Sequence, residues 1–357
     1  MDTAMTSMPL RFFAAANGAS GFRSYFDEIF SSENAESVFI LKGGPGTGKS
    51  TLLRDLASTF DRKDTEMEIF HCSSDPKSLD GLLLTHAGRS ICVLDGTAPH
   101  ERDARLPGAC DELFDLGACF DTSALRAEKK AILSLQKEKR LAYKEAYFNL
   151  RLFGIFNDKI KAETTKRIDK KKIKDFFNAR IRPRISIKSN AVFSPRLIRA
   201  FSREGLVTLD TYEVAAKEKF VFSASESEGS LLLSEILSLL SAHNAGGYYS
   251  PSPFSEDRID GIFLKDERVS FTIGTEGLDC EQFFVPQSAK DDARISAYQA
   301  EAERFLSLAR EALAHASESH FALEKIYTPA VDFERMRPMK DALIQKIGER
   351  LMLTEFS

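Results

Sequence analysis

The chain has 357 residues, 43% of them hydrophobic and 29% charged, as in ordinary globular proteins long enough for two hydrophobic cores. Its formal net charge of -4 argues against a protein that coats nucleic acid or an anionic membrane with its whole surface. The five cysteines are scattered, with no Cys-x-x-Cys pair, which indicates reduced thiols and not a zinc site. Because there is no basic leader and no apolar run of about 18 residues, we expect a cytoplasmic protein without membrane contact.

The first half alternates short apolar runs with helix-favouring segments. Residues 38–41, 67–72 and 90–94 are β-rich runs that end at polar residues, and they predict three strands. The segment TLLRDLASTF, which follows a glycine cluster after the first run, places its leucines on one helical face. This alternation predicts an α/β fold with a parallel sheet covered by helices.

A charged, helix-favouring segment begins at residue 123 and predicts a long helix, one arm of a hairpin. It leads into a basic segment, residues 161–188, with eleven Lys or Arg and three Asp or Glu, a net charge of +8. Since the whole chain carries -4, the remainder carries -12. A solvated helix face that docks on this acidic remainder is the favoured interpretation, and nucleic-acid binding is the alternative.

The second half repeats the layout of the first. FILKGGPGTGKSTLL, from Phe39, aligns with FVFSASESEGSLLLS, from Phe220, at an offset of 181, and downstream dipeptides align at offsets of 180 and 178. An upstream dipeptide aligns at an offset of 184, and a collinear series whose offset changes by so few residues predicts a tandem duplication. The alternative is two α/β domains that share only generic strand-turn-helix spacing. We therefore expect one domain over residues 1–190, with a helical arm over 123–190, and a second over 191–357, with a helical tail from Ser288 through an interruption near Pro329.

Residues 43–50 read GGPGTGKS and satisfy the pattern G-x-x-x-x-G-K-[ST] between a predicted strand and a predicted helix. Glycines let the backbone N–H groups turn inward around phosphate oxygens, and the helix that follows adds its positive end. The pattern predicts a P-loop that binds a nucleoside triphosphate. The residues expected to contact the nucleotide are Gly43, Gly44, Pro45, Gly46, Thr47, Gly48, Lys49, Ser50 and Thr51.

Four side chains of the first half are predicted to act on the phosphates and on magnesium. Lys49 reaches the β- and γ-phosphates, Ser50 ligates Mg²⁺, and Thr51 touches the α-phosphate. The run ICVLD has the form of a Walker B element, in which Asp95 holds the magnesium, usually through water. Residues 95–100 then lie at the carboxyl edge of the sheet, where ligands of α/β proteins bind.

A carboxylate in the loop after the second strand could orient a water or deprotonate a hydroxyl for attack on the γ-phosphate. Asp75 is the first candidate for this base and Asp80 the second. The alternative for either residue is a cap for a helix that begins near Lys77. For His71 and His100, the favoured interpretation is a hydrogen-bonded polar residue, and a catalytic role is the alternative.

The motifs FILKGGPGTGKSTLL, HCSSDPKSLDG and DGTAPH, together with the duplicated layout, resemble a largely uncharacterised family of bacterial P-loop ATPases with two tandem P-loop halves. The resemblance spans nearly the whole chain. It implies a P-loop NTPase fold and ATP binding, and it carries no settled substrate. This chain departs from the family in its second half, where relatives tend to keep a P-loop.

The second half has lost the groups that hold a triphosphate. In the alignment Lys49 corresponds to Ser230, Ser50 to Leu231 and Asp95 to Ile273. The loop SASESEG keeps one glycine and adds two carboxylates, which repel phosphate oxygens. We therefore expect one triphosphate per chain, with the second half covering the first. An arginine such as Arg258 or Arg268 could reach the γ-phosphate, but an ordinary surface arginine is the favoured interpretation of both.

The sequence favours ATP over GTP because the guanine motif N-K-x-D does not occur. It predicts a Mg²⁺-dependent ATP-binding protein, a hydrolase that uses the N-terminal site alone. A small-molecule or nucleotide kinase and a nucleotide-binding regulator with little turnover stay open, because all three need the same phosphate site. The acceptor or protein partner is not predicted.

Overall fold

A computed structural model of the chain describes residues 8–186, 191–255, 257–286 and 289–356. The chain divides into two compact units. The first combines the chain up to Ala14 with Ser24–Lys144 and the chain from Ala312 onward, and the second combines Ala15–Arg23 with Glu145–Glu311. Each unit therefore draws on distant parts of the sequence.

Strands and helices alternate along the whole chain. The elements up to residue 186 are β1 (Leu10–Phe13), β2 (Ala15–Gly18), β3 (Gly21–Ser24), α1 (Phe26–Ile29), β4 (Ser37–Lys42), α2 (Lys49–Thr59), β5 (Thr65–His71), β6 (Leu79–His86), β7 (Arg89–Asp95), β8 (Asp111–Asp115), α3 (Thr122–Ala127), α4 (Lys129–Thr165) and α5 (Lys170–Phe176). The remaining elements are β9 (Phe193–Pro195), β10 (Arg199–Ser202), β11 (Gly205–Thr208), α6 (Thr211–Ala215), β12 (Glu218–Ser223), α7 (Glu226–Ala242), β13 (Gly247–Pro251), β14 (Ile259–Leu264), β15 (Val269–Gly274), β16 (Leu278–Asp279), α8 (Ala289–Tyr327) and α9 (Phe333–Arg350).

The first unit is built on a six-stranded sheet with the order β1-β5-β6-β7-β4-β8. Five strands run in one direction, and β6 runs antiparallel to both of its neighbours. A tight turn at Ala87 and Gly88, with φ values of 47° and 79°, joins β6 to β7, and so short a connection joins only antiparallel strands. The predicted α/β class is confirmed, whereas the expectation of an all-parallel sheet is wrong at β6.

The elements predicted around the glycine cluster are present. The three predicted strands are β4, β5 and β7, and the helix predicted after the cluster is α2. Leu52, Leu53 and Leu56 of α2 are fully buried in the core of the first unit. This apolar face fixes α2 against the sheet, so its first residue, Lys49, is held near the end of β4.

The second unit repeats the architecture of the first. Its sheet has the order β16-β12-β15-β14-β13-β9, again with a single antiparallel strand, β14. Leu41 lies opposite Asp95 in the pair of β4 and β7, and Phe222 lies opposite Ile273 in the pair of β12 and β15. These registers match the predicted offsets of 181 and 178, so the two repeated halves are confirmed.

Long helices follow each sheet, as predicted. The helix expected from residue 123 is α3 followed by the 37-residue α4. The predicted C-terminal tail comprises α8 and α9, interrupted at Thr328–Ala330; its expected first residue, Ser288, lies outside the described residues. No helix in the described part of the chain is both long and apolar enough to cross a membrane.

The predicted domains, 1–190 and 191–357, describe the two copies of the repeat, and this boundary stays a prediction; residues 187–190 lie outside the described residues. The compact units divide the chain differently because the helices at the ends of the two halves are exchanged. Ile173 of α5 lies in the hydrophobic core of the second unit. Met336, Leu343 and Ile347 of α9 lie in the core of the first unit.

Replacing Leu343 with alanine is expected to lower the free energy of unfolding of the first unit by about 2–5 kcal/mol, because it leaves a cavity in a closely packed core. Leu343 is 1% exposed and packs in the same cluster as Leu52 and Leu56 of α2. Urea unfolding measures the loss. The matched control is Leu141→Ala, since Leu141 lies on α4 with 52% of its surface exposed. Equal effects of the two substitutions would show that α9 does not belong to this core.

Candidate functional site

The glycine-rich loop, residues 43–48, connects the buried end of β4 to the first turn of α2. Gly46 and Gly48 have φ values of 70° and 79°, in the left-handed region that residues with a Cβ avoid. Gly48 is the N-cap of α2, and the buried Thr47 closes the loop by donating its hydroxyl to the Gly44 carbonyl at 2.9 Å. Pro45 is half-buried in the same turn.

The backbone of this loop presents a set of unused donors. Within the described ranges, the N–H groups of residues 46–51 donate to no protein acceptor. The first hydrogen bond of α2 runs from Leu52 N–H to Gly48 O. Free backbone donors beside the positive end of a helix are the groups that bind anions in proteins.

Lys49 bends back across the loop. Its ammonium donates to the carbonyl oxygens of Gly43 at 3.0 Å and Gly44 at 2.9 Å, and it lies 3.7 Å from Asp95 Oδ2. Asp95, at the end of β7, also accepts hydrogen bonds from the Thr97 N–H and hydroxyl at Oδ1. The two predicted phosphate and metal residues are thus brought together by the adjacent strands β4 and β7.

Ser50 and Thr51, the other polar residues predicted to act here, lie in the first turn of α2. The Ser50 Oγ accepts a hydrogen bond from the Leu79 N–H at 2.9 Å, which ties α2 to the start of β6. Thr51 is exposed. Ser50 keeps its hydroxyl proton and a second lone pair, so a cation could still be bound at this oxygen.

The predicted helix near Lys77 is wrong, because the apolar run from Leu79 forms strand β6. Asp75 lies in the turn before it, where its carbonyl oxygen accepts from the Ser78 N–H at 2.8 Å. Asp80 lies within β6, is buried, and has its Oδ2 3.4 Å from His100 Nε2. Asp80 therefore belongs to a buried carboxylate–imidazole pair and not to a helix cap.

The two histidines predicted to be hydrogen-bonded polar residues differ in their surroundings. Burial disfavours the charged form of His100, but the Asp80 carboxylate outweighs this and raises the pKa of the ring. The same ring stacks on Phe26 with 4.4 Å between centroids. Burial lowers the pKa of His71, whose Nδ1 lies 2.7 Å from the Pro76 carbonyl oxygen.

Four residues that the sequence did not suggest cover the glycine-rich loop. The rings of Phe120 and Tyr327 pack together over Gly44, where a Cβ would come within 3.1–3.3 Å of them. A Cβ on Gly46 would collide with the Thr328 hydroxyl, and Phe333 lies over Gly48. The glycines are therefore needed on the outer side of the loop as well as for its turn.

A polar cluster from α4 and α8 lies beside Lys49. Lys139 Nζ is 3.0 Å from His320 Nδ1, and His320 Nε2 is 3.5 Å from Glu324 Oε1. Burial lowers the pKa of Lys139. The hydrogen bond from His320, together with the charges of Lys49 and Lys139, lowers the pKa of Glu324. Lys49 and Lys139 both lie within electrostatic reach of Glu324, while Asp95 is the nearer carboxylate to Lys49.

No protein-family model, curated protein or solved structure matches this chain. The family resemblance therefore rests on the motifs in the sequence and stays a prediction.

The corresponding loop of the second unit lacks the geometry seen around Lys49. Ser230 is buried and donates its hydroxyl to the Ile259 carbonyl oxygen at 2.7 Å. Ile273 stands at the Asp95 position, and a Cβ on Gly229 would meet its side chain at 2.7 Å. The second unit therefore has a buried hydroxyl and an apolar side chain at the positions of Lys49 and Asp95.

Both arginines predicted as candidates for the γ-phosphate are bound within the second unit. Arg258 donates to the Ser227 carbonyl oxygen at 2.8 Å, and Arg268 donates twice to the Ala215 carbonyl oxygen. The expectation that one of them acts at the γ-phosphate stays a prediction.

The basic segment 161–188 forms ion pairs inside the second unit; residues 187 and 188 lie outside the described residues. The pairs that bridge to other elements are Lys161–Asp257, Arg167–Glu228, Lys170–Glu235 and Arg184–Glu218. Carboxylates of the same unit thus neutralise several lysine and arginine side chains of this segment. This is the pattern expected for a docked helix face, and nucleic-acid binding stays an untested alternative.

The buried Asp260, the counterpart of Asp80, predicts a pH-dependent stability. Burial raises its pKa from 3.8 to about 6, with Arg199 nearby opposing the shift. Below the unfolded pKa the carboxyl is protonated in both states; as the pH rises to about 6 the unfolded chain ionises first, so stability is lost. Asp260→Asn removes this loss, so the variant gains about 1–3 kcal/mol relative to wild type between roughly pH 4.5 and 7.5.

Urea unfolding at the two pH values measures this difference. The exposed Asp158, changed to asparagine, is the matched control and is expected to show the same pH dependence as wild type. A difference between Asp260→Asn and wild type that does not change with pH would contradict the prediction.

Proposed function

We propose that the chain is a Mg²⁺-dependent ATP-binding P-loop protein that hydrolyses ATP at the glycine-rich loop of its first half. The observation that carries this proposal is the convergence of unused backbone donors, the Lys49 ammonium and the Asp95 carboxylate. A triphosphate requires these groups: N–H donors around the phosphate oxygens, a cation at the terminal phosphates and a carboxylate for the metal.

The loop fits a phosphate group on structural grounds. A Cβ at Gly43 would lie 2.8 Å from the Thr47 hydroxyl, so only glycine allows the loop to close with its N–H groups free. The Lys49 ammonium donates to two carbonyl oxygens of the loop, and the carboxylate close to it is that of Asp95. Phosphate oxygens are stronger hydrogen-bond acceptors than carbonyl oxygens. We therefore expect Lys49 to donate to the phosphate oxygens when a nucleotide binds.

Ser50 and Asp95 would hold magnesium, which when bound neutralises charge developing on the phosphates. Both supply oxygen ligands, the type that Mg²⁺ prefers. Asp95 is already oriented by its two hydrogen bonds from Thr97. Bound Mg²⁺ would supply the positive charge that Lys49 now gives to Asp95, and the Lys49 ammonium would then be available to phosphate oxygens.

Two candidates exist for the base that accepts a proton from the attacking water: Asp75, and the pair of Asp80 and His100. Asp75 lies partly buried in the turn after β5 and remains our first candidate. The interaction of Asp80 with His100 fixes both groups in a buried position. There the pair is better placed to orient neighbouring groups than to take a proton from water. Lys139 is a further candidate for binding phosphate, because it lies within electrostatic reach of Lys49.

Phosphate release by the purified protein separates the three functions that share this site. Release from Mg·ATP without any addition supports the ATPase. ADP formation that requires an added acceptor and is not matched by phosphate release supports a kinase, because the phosphoryl group then stays on the acceptor. Binding without turnover supports a regulator. The Lys49→Ala protein serves as the blank, since contaminating ATPases would be equally active in both preparations.

A further inference from the structure

A cleft of about 480 Å³ lies within the second unit, formed by α4, α8, the start of α7 and the connection from β13 to β14. Its apolar wall includes Phe153 and Phe254, whose rings are 4.7 Å apart, together with Ile160. Its volume and mixed lining are those of a small-molecule site. Sequence reasoning did not suggest it, because its walls come from several separate segments between residues 153 and 306.

A buried arginine without a carboxylate partner lines this cleft. Arg258 is 5% exposed and donates to the Ser227 carbonyl oxygen at 2.8 Å and to the Thr165 hydroxyl at 3.3 Å. Within the described ranges, no carboxylate oxygen lies within 4 Å of its guanidinium. Its neighbour Asp257 pairs with Lys161. A buried charge without a counter-charge is costly, and burial accordingly lowers the pKa of this guanidinium.

The other charges at the base of the cleft are already paired. Arg167 lies 3.0 Å from Glu228, which also accepts the Ser225 hydroxyl at 2.7 Å. Glu226 lies 3.0 Å from Arg199. Among the described residues that line the cleft, Arg258 is therefore a buried cation without a carboxylate partner, and an anionic group placed beside it would neutralise it.

We propose that this cleft binds a small organic anion, with a single carboxylate or phosphate group on Arg258 and an apolar body against Phe153 and Phe254. Five N–H donors in a planar fork favour both kinds of oxyanion. Asp292 and Glu303 are exposed residues of α8 on the rim of the cleft and disfavour a ligand with many negative charges. A triphosphate is thus excluded, whereas a monoanion fits.

The cleft stands where the first half has its glycine-rich loop, because Ser225, Ser227 and Ser230 belong to the start of α7, the counterpart of α2. The second half has therefore exchanged a phosphate loop for a site of different chemistry. This inference does not depend on ATP binding at the first half.

Benzoate and phenyl phosphate are suitable probes, with uncharged benzamide as their matched control. Saturation-transfer NMR and calorimetry are carried out on the full chain carrying Lys49→Ala, so that the glycine-rich loop cannot account for phosphate binding. We expect at least one anionic probe to bind, benzamide to bind at least about tenfold more weakly, and Arg258→Gln to reduce anion affinity by a similar factor. A preference between the two anions identifies the oxyanion.

A second variant keeps the test valid if Arg258→Gln does not fold. Ser296 is exposed on α8 and lines the cleft, so Ser296→Tyr fills its mouth, whereas Ser307→Tyr adds the same ring on the same helix outside the cleft. We expect only the first to abolish anion binding. Failure of both anions to bind at millimolar concentration, or binding that survives Ser296→Tyr and Arg258→Gln, would overturn the proposal.

Discussion

Replacing Lys49 with alanine is expected to lower the affinity for Mg·ATP by roughly 10–100-fold and to abolish turnover, because hydrogen bonds from a charged donor are worth about 1.5–3 kcal/mol. Lys49 donates to two carbonyls of the loop and lies close to Asp95, so it is positioned to move onto the phosphates. Titration of a fluorescent ATP analogue measures the affinity, and phosphate release measures the turnover.

The control for this substitution is Lys63→Ala, at an exposed lysine before β5. It changes the net charge of the chain by the same amount and is expected to leave affinity and turnover unchanged. A thermal melt of Lys49→Ala is expected to show a folded protein, because the lost bonds join the lysine to its own loop. Turnover that persists in Lys49→Ala would place the reaction elsewhere in the molecule.

Replacing Asp95 with asparagine is expected to raise the magnesium concentration needed for half-maximal turnover by roughly 10–100-fold, the usual effect of losing a group that orients a metal ligand. Nucleotide binding without metal should change little. Asparagine has the same shape and keeps an oxygen that can accept from Thr97, so the loop after β7 is preserved. Phosphate release measured across a magnesium titration gives this midpoint.

Asp61→Asn is the matched control, because Asp61 is an exposed carboxylate at the end of α2. It is expected to titrate with magnesium as the wild type does. If Asp95→Asn instead weakened metal-free nucleotide binding and left the magnesium midpoint unchanged, Asp95 would act on Lys49 and not on the metal.

Local sequence patterns were sufficient for the elements around the glycine-rich loop. The run before the loop is a buried strand because it is uniformly apolar, and the helix after it has a leucine face. Strand β6 was missed because LDGLLLTH has only three consecutive apolar residues and no alternation of apolar and polar residues, and because the turn that follows it begins with Ala87, which is not a typical turn residue. Its antiparallel direction is a consequence of that turn.

Long-range packing was beyond the reach of local patterns. The alignment of the two halves predicted the strand registers, because both copies keep the same spacing of strands. It did not predict that α9 completes the core of the first unit, nor that Tyr327 and Thr328 cover the glycine-rich loop. These contacts join residues nearly 300 positions apart in the sequence, and no local sequence pattern predicts them.

The remaining question for the predicted single site is how many triphosphates one chain binds. The second half has Ser230, Leu231 and Ile273 at the positions of the lysine, the serine and the Walker B aspartate. Calorimetric titration with a non-hydrolysable ATP analogue and magnesium counts the sites directly. The account predicts a stoichiometry near one that falls to zero in Lys49→Ala; a magnesium-dependent site that survives Lys49→Ala would contradict it.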